Sequence, residues 1–338
     1  MPISTIITNS IADDAVTVPK VTDQVLTHRN LIINGAMQVA QRGTSFTAQG
    51  GNGSPYFTDR WYVYSGGASA GRFTATQEAI TDLSGFATAL KLDCTTADTS
   101  IGADEQLSLI QTIEAQNLQH LKFGTSDAVS LTYSFFAKAN ATKTYIAELY
   151  TSDSVKSQSH AFTVTTAWQR FEITFSATGA DAATINNDNG QGLYVMIDLH
   201  AGSSLTSGTI NSTWAAATQA NRMVGCGSFY SSTDNTFFMT GAQLEIGDVA
   251  TPFEHRSYGD ELLRCYRYFE KGGIVFANQT VVSGSYAVTK RTAPTMVRTS
   301  NIYSASEAGT FAPSNEYVYH VYSGSTYLGG NWTADAEL

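Results

Sequence analysis

Charge is scarce in this sequence. Only 14% of its 338 residues are Asp, Glu, Lys or Arg, against roughly 25% in ordinary soluble proteins. The balance is acidic, at −10, and there is no basic stripe of the kind that nucleic acid requires. The same sign argues against capture by an anionic membrane surface. Cysteine is nearly absent. Cys94, Cys226 and Cys265 are odd in number and widely spaced, so no disulfide framework is expected and buried free thiols are. No apolar run approaches the roughly 20 residues of a membrane-spanning helix, so no membrane insertion is expected. The opening Met-Pro-Ile-Ser-Thr-Ile-Ile lacks the basic and apolar regions of a secretion signal. Walker loops and His-Glu-x-x-His are missing as well.

What is present is alternation. Hydrophobic residues make up 42% and aromatics 11%, and they recur every second position over short stretches. Leu131, Tyr133 and Phe135 oppose Ser130, Thr132 and Ser134. The pattern repeats at Ala89–Cys94, Leu107–Ile113, Tyr145–Tyr150, Phe171–Phe175 and Leu193–His200. Each reads as a half-buried strand, and Gly, Asn, Asp and Ser cluster between them. A further apolar strand is expected at Leu31–Ile33 and a short helix at Glu114–Leu121. Strands with one apolar and one Ser/Thr-rich face predict two packed antiparallel sheets. Trp61, at a strand start, is expected in the core or at its rim, and Arg60 beside a carboxylate.

The chain turns on one stretch, Thr240 to Phe269. Ala242, Leu244 and Ile246 alternate with Gln243 and Glu245, predicting a closing strand with its apolar face inward. Gly247, Asp248 and Pro252 stop it. Asp260 and Glu261 suit a helix start, where carboxylates favour the positive dipole end. Beyond it lies a second β-rich unit of about 80 residues, small enough that oligomerisation is one way to bury its apolar surface. Residues 1–27 are too polar to form a core of their own.

Three stretches carry a family resemblance. Gly241-Ala-Gln-Leu-Glu-Ile-Gly247 with Thr251-Pro-Phe-Glu-His-Arg-Ser-Tyr258 and Cys265-Tyr-Arg-Tyr-Phe269 resembles a module common in bacteriophage tail fibre and virion appendage proteins. Asn30–Ser45 with Thr58-Asp-Arg-Trp61, and the end Trp332–Leu338, resemble the same family. The resemblance implies an all-β chain: a virion attachment segment at 1–27, a jelly-roll β-sandwich like that of carbohydrate-binding modules at 28–258, and a smaller β-rich C-terminal domain at 259–338 for trimerisation or receptor binding. It implies a non-enzymatic homotrimer made in the bacterial cytoplasm and resident in the virion. Tail or capsid proteins would hold residues 1–27, and the protein would contact host surface glycan. Two alternatives stand beside this: a head fibre or capsid decoration protein, and a glycan depolymerase. Modules of this type often hold one structural Ca²⁺. Asp181 and Asn186-Asn187-Asp188-Asn189 are oxygen-rich loops that turn chemistry explains equally well, so no ligands are assigned, and no other cofactor is expected.

Candidate sugar contacts are Tyr317, Tyr319, Tyr327 and Trp332, since sugar rings stack on aromatic faces. The competing reading is that these rings fill the small unit's core or a subunit interface. The acidic pairs Asp13-Asp14, Asp104-Glu105 and Asp260-Glu261 do not supply a glycosidase's two carboxyls. That chemistry places them roughly 5–9.5 Å apart across a sugar, and neighbours on a strand point to opposite faces. His255 stands alone and is expected to be structural, with Glu254 and Arg256 tying the linker to the sandwich.

Overall fold

The computed structural model describes residues 28–276, 281–301, 310–321 and 328–338. The expected attachment segment 1–27 lies outside them. The first sheet holds β1 (Ser45–Gly50), β3 (Arg72–Ala79), β4 (Thr88–Thr96), β12 (Thr236–Ile246), β6 (Leu131–Ala139) and β9 (Gln169–Phe175), in that order. The second holds β11 (Ala215–Ala216), β8 (Lys156–Val164), β7 (Lys143–Thr151), β10 (Gln191–Ala201), β5 (Gln106–Glu114) and β2 (Tyr62–Gly66). All their pairings are antiparallel. The architecture is an all-β jelly-roll sandwich followed by a smaller β-rich region.

The inner faces are built by the expected alternation. Phe73, Leu92, Tyr133, Phe135, Phe237 and Leu244 meet Leu107, Leu109, Tyr145, Leu149, Val195 and Ile197, all fully buried. Edge-to-face rings bridge the sheets at Phe135–Phe162 (5.1 Å) and Tyr145–Phe237 (5.6 Å), the geometry that aromatic quadrupoles favour. Trp61 is in this core, its indole N–H donating to the Asn34 carbonyl at 3.1 Å.

Three expectations need correction. Leu31–Ile33 is not a strand. It runs extended beside β12, but Asn30 Oδ1 takes the Leu244 N–H (3.1 Å) that a ladder would use, leaving only Leu31 N–H to Leu244 O (2.9 Å). On β12, Gln243 and Glu245 are buried while Ile246 is 43% exposed. The linker folds back over the polar face. Thr251 donates to both Glu245 oxygens (2.8 and 2.6 Å), and Glu254 N–H donates to Gln243 Oε1 at 2.8 Å. The two ends of the sandwich are thus strapped by β12's polar side chains. Glu254 also accepts from His28 and Asn30 N–H at 2.7 and 2.8 Å.

The short helix expected at 114–121 is present as a 3₁₀ helix, Ala115–Leu121. The third correction is the largest. The second sheet does not have a plain solvated outer face: all nine residues of β5 are buried. Two coverings lie on it. One is residues 202–228, including a short helix at Ser203–Thr206 whose Leu205 packs with Met223 on Ile146. The other is the chain's C-terminal region.

That region begins with the helix Tyr258–Tyr266, capped by Ser257, whose hydroxyl accepts from Asp260 N–H at 3.1 Å. It continues in a sheet of β13 (Phe269–Phe276), β18 (Leu328–Asp335) and β15 (Thr295–Asn301), and a sheet of β14 (Val281–Ser285), β17 (Tyr317–Val321) and β16 (Thr310–Pro313). Its contacts with the sandwich are ionic and aromatic. Arg60, wholly buried, pairs with Glu337 and lies over the Tyr268 ring at 3.4 Å. Arg42 reaches Asp335 and Glu337 at 3.2 and 3.3 Å. Arg267 grips both oxygens of buried Glu114 at 2.7 Å each.

Candidate functional site

Between the two coverings, the outer face of the second sheet carries a band of tyrosines. Strand register explains it. Tyr62 on β2 lies beside Ile110 on β5, which faces Met196 on β10, which faces Glu148 on β7. One step along, Thr112, Tyr194 and Tyr150 form the next row, and on the other side Tyr64, Ser108 and Asp198 form a third. Residues two apart on a strand share a face, so these rows present Tyr62, Tyr64, Tyr150 and Tyr194 together. Tyr56 joins them, its ring 4.9 Å from that of Tyr62. The Tyr150 and Tyr194 rings meet edge to face at 5.6 Å. Tyr64 is exposed; Tyr56, Tyr150 and Tyr194 are half-buried against Ile110 and Met196.

Charge sits at one end of the band. Arg222, from the 202–228 covering, donates Nε and Nη2 to the two oxygens of Glu148 at 2.9 Å each, and its guanidinium lies 5.1 Å from the Tyr150 ring. Asp198 Oδ1 accepts from Ser108 at 2.5 Å, and its Oδ2 has no partner among the described residues. Burial, reinforced by the neighbouring Glu148 charge, pushes the Asp198 carboxyl up to about 8, so it is protonated at neutral pH. The arrangement offers half-exposed aromatic faces for the apolar side of a sugar ring.

Catalysis has weaker footing here. Shifted carboxylates mark many catalytic sites, but Glu148 and Asp198 are both wholly closed to solvent, and Glu148 is held at both oxygens. Elsewhere, His200 Nε2 lies 3.0 Å from Glu105 Oε2 and its Nδ1 lies 2.9 Å from Ser228 Oγ. That connectivity resembles a nucleophilic relay. His200 is completely buried, with its ring against Tyr230 at 5.1 Å, so the relay acts as a tie between β5, β10 and the segment after Ser228. Gly67-Ala68-Ser69-Ala70-Gly71 spells the Gly-x-Ser-x-Gly pattern of a nucleophile elbow, a pattern passed over on sequence. That motif needs a strand–turn–helix setting. Here it joins β2 to β3, and buried Ser69 donates to Asp98 Oδ2 at 2.9 Å.

Among the described residues, the sequence-nominated Trp332 and Tyr317 lie in different sheets. Trp332 on β18 is 6% exposed, its ring against Tyr286 at 5.9 Å. Its strand partner is Gly272, where an added Cβ would fall 2.2 Å from the indole. The ring packs in that small cluster and also lines a concavity of about 360 Å³ with Lys271, Gly272, Thr299 and Asn331. Tyr317 is 38% exposed, on β17 in the other small sheet. Tyr319 follows two positions along that strand. Tyr327 lies outside the described residues. Among the described residues no group of three or more His, Cys, Asp or Glu side chains is arranged to hold a metal, and no helix is long and apolar enough to cross a membrane. The tyrosine band was missed because its members lie on three strands and a loop. Its one signal in the sequence was Tyr150 and Tyr194 at positions expected to face outward.

No family model matches the chain, and no curated protein matches it. Among solved structures it is similar to a CBM4 structure at 13% identity and TM-score 0.32, over 63% of this chain and 98% of that one. It is similar to the family 11 carbohydrate-binding module of a Clostridium thermocellum cellulosomal cellulase at 11% identity and TM-score 0.29, over 61% and 99%. It is also similar to the enzymatically active domain of bacteriophage CBA120 tailspike protein 4, at 11% identity and TM-score 0.31, over 64% and 21%.

Proposed function

We propose that this chain is a non-enzymatic structural protein of a bacteriophage virion, a tail fibre or similar appendage that binds host surface glycan. The observation that carries glycan binding is the tyrosine band, with Tyr150 and Tyr194 packed edge to face beside the Arg222–Glu148 pair. A sugar stacks on such rings. Exposed Tyr317 is a second, separate contact. The virion role is supported by the appendage-like stretches at Asn30–Ser45 and Thr240–Phe269, and by a sparsely charged, hydroxyl-rich sequence. In this reading the chain is a homotrimer located in the virion, residues 1–27 attach it to tail or capsid proteins, and no cofactor takes part.

Glycan-array binding of the wild type and of Tyr150→Ala tests the site. Tyr150 is half-buried on the surface of a folded sheet, so the variant should fold and lose about tenfold or more in retention, the scale of a lost aromatic stacking contact. Equal retention by both proteins would remove the band from the proposal. Release of reducing ends from a host polysaccharide would replace the binder with a depolymerase. Light scattering at micromolar concentration reads the oligomer: the trimer fails if only the 36.3 kDa chain is found.

A further inference from the structure

A second concavity lies where the linker, the sandwich and the C-terminal region meet. This cleft measures about 790 Å³, within the range of small-ligand sites. One wall is the helix Tyr258–Tyr266 and the turn after it. Asp260, Leu263, Arg264 and Arg267 line the cleft because residues three and four apart on a helix share a face. His255 and Asn117 belong to the other walls.

The cationic groups in it differ in what they already hold. Arg267 is committed to Glu114, as described above. Arg256 is committed to the Ile32 carbonyl at 3.0 Å and to Glu254 at 3.4 Å. Burial keeps His255 below the ordinary imidazole range, so it is neutral at pH 7. Arg264 is half-buried and has no hydrogen-bond or ion-pair partner among the described residues. An open guanidinium in a cleft is unusual on a chain with only 19 basic residues and a net charge of −10. Here a planar fork of donors lines an open cleft, whose walls also include Asp260 and Glu254. The fork fits a carboxylate in two parallel bonds. Ile33 and Val288 supply apolar wall for the carbon face of a sugar ring.

We propose that this cleft is a second glycan subsite, selective for a carboxylate-bearing sugar, with Arg264 as the carboxylate anchor. The inference rests on the glycan-binding reading above but uses none of the tyrosine band. The test is calorimetric titration of the full chain with trigalacturonate, its methyl ester and inorganic phosphate, repeated on Arg264→Gln. Arg264 holds no hydrogen-bond or ion-pair partner among the described residues, so the variant should melt with the wild type. Trigalacturonate should bind. Esterification and Arg264→Gln should each weaken it about tenfold or more, as expected for loss of a charge-assisted pair. The proposal is overturned if trigalacturonate does not bind, if the ester or the variant binds equally well, or if phosphate competes as strongly as the sugar, which would make the cleft a plain anion trap. Should these fail while Tyr150-dependent retention on the array persists, only the cleft falls. Should both fail, the glycan reading falls with it.

Discussion

Replacing Arg267 with Gln should loosen the joint between the sandwich and the C-terminal region. Glu114 ends β5 with a side chain that is 0% exposed, and Arg267 supplies both of its charged partners at 2.7 Å. The arginine beside it holds the Glu114 carboxyl below the usual carboxylate range against the opposing effect of burial. Removing one member of a buried pair typically costs about 3–5 kcal/mol, because the remaining charge stays buried. Here two features lower that figure. Arg267 is 30% exposed, so water already screens it in part, and Gln116 still donates to Glu114 Oε2 at 2.6 Å. A loss of about 2–4 kcal/mol follows. At roughly 2–4 °C per kcal/mol for a domain of this size, the melting temperature should drop by about 4–16 °C in differential scanning calorimetry. The pH dependence gives a second reading. A depressed carboxyl stabilises the fold above its unfolded value, near 4, and that contribution disappears as pH falls through the folded value. Wild type should therefore lose more stability than the variant on acidification below about pH 4. Arg267→Met with Glu114→Met removes both charges and should recover much of the loss. A melting temperature within 1 °C of wild type for Arg267→Gln, or no recovery in the double variant, would refute the reasoning.

Three further outcomes are expected. Asp198 has the opposite sign from Glu114: its raised carboxyl contributes stability that is fully present below about pH 4 and is lost progressively as pH rises to about 8. Asp198→Asn should flatten chemical-denaturation stability over that range, and an unchanged profile would count against a protonated Asp198. Leu244→Asp puts an unpaired carboxylate at a fully buried site on β12 and should cost several kcal/mol out of the ~5–15 that hold a domain together, so circular dichroism should show an unfolded or aggregated sandwich. Trp332→Ala empties a buried ring from the Tyr286 cluster and should cost about 3–5 kcal/mol; a melting temperature equal to wild type would mean the indole is not core.

The alternating pattern by itself determined the strands and the sandwich. Leu131, Tyr133 and Phe135 could only face inward together, because the side-chain period of a strand is two and apolar area leaves water. The acidic first turn of the helix, Asp260 and Glu261, was equally local, whereas its cap at Ser257 and its end at Tyr266 emerged only in the fold. Polar and charged positions were not legible in this way. Gln243 and Glu245 read as a solvated face and are buried, because their partners Thr251 and Glu254 arrive by the chain's return. Arg60 was expected beside a carboxylate, but nothing local could name Glu337, 277 positions away. Trp332 carried the same aromatic signal whether it stacked on a sugar or on Tyr286, and only the fold shows its ring against Tyr286. The tyrosine band and the Arg264 cleft exist only in the fold, where register and docking set side by side residues that the chain keeps far apart. Hydrophobic burial is roughly additive and can be read from a pattern, whereas a pair of polar groups has meaning only once its distance is fixed.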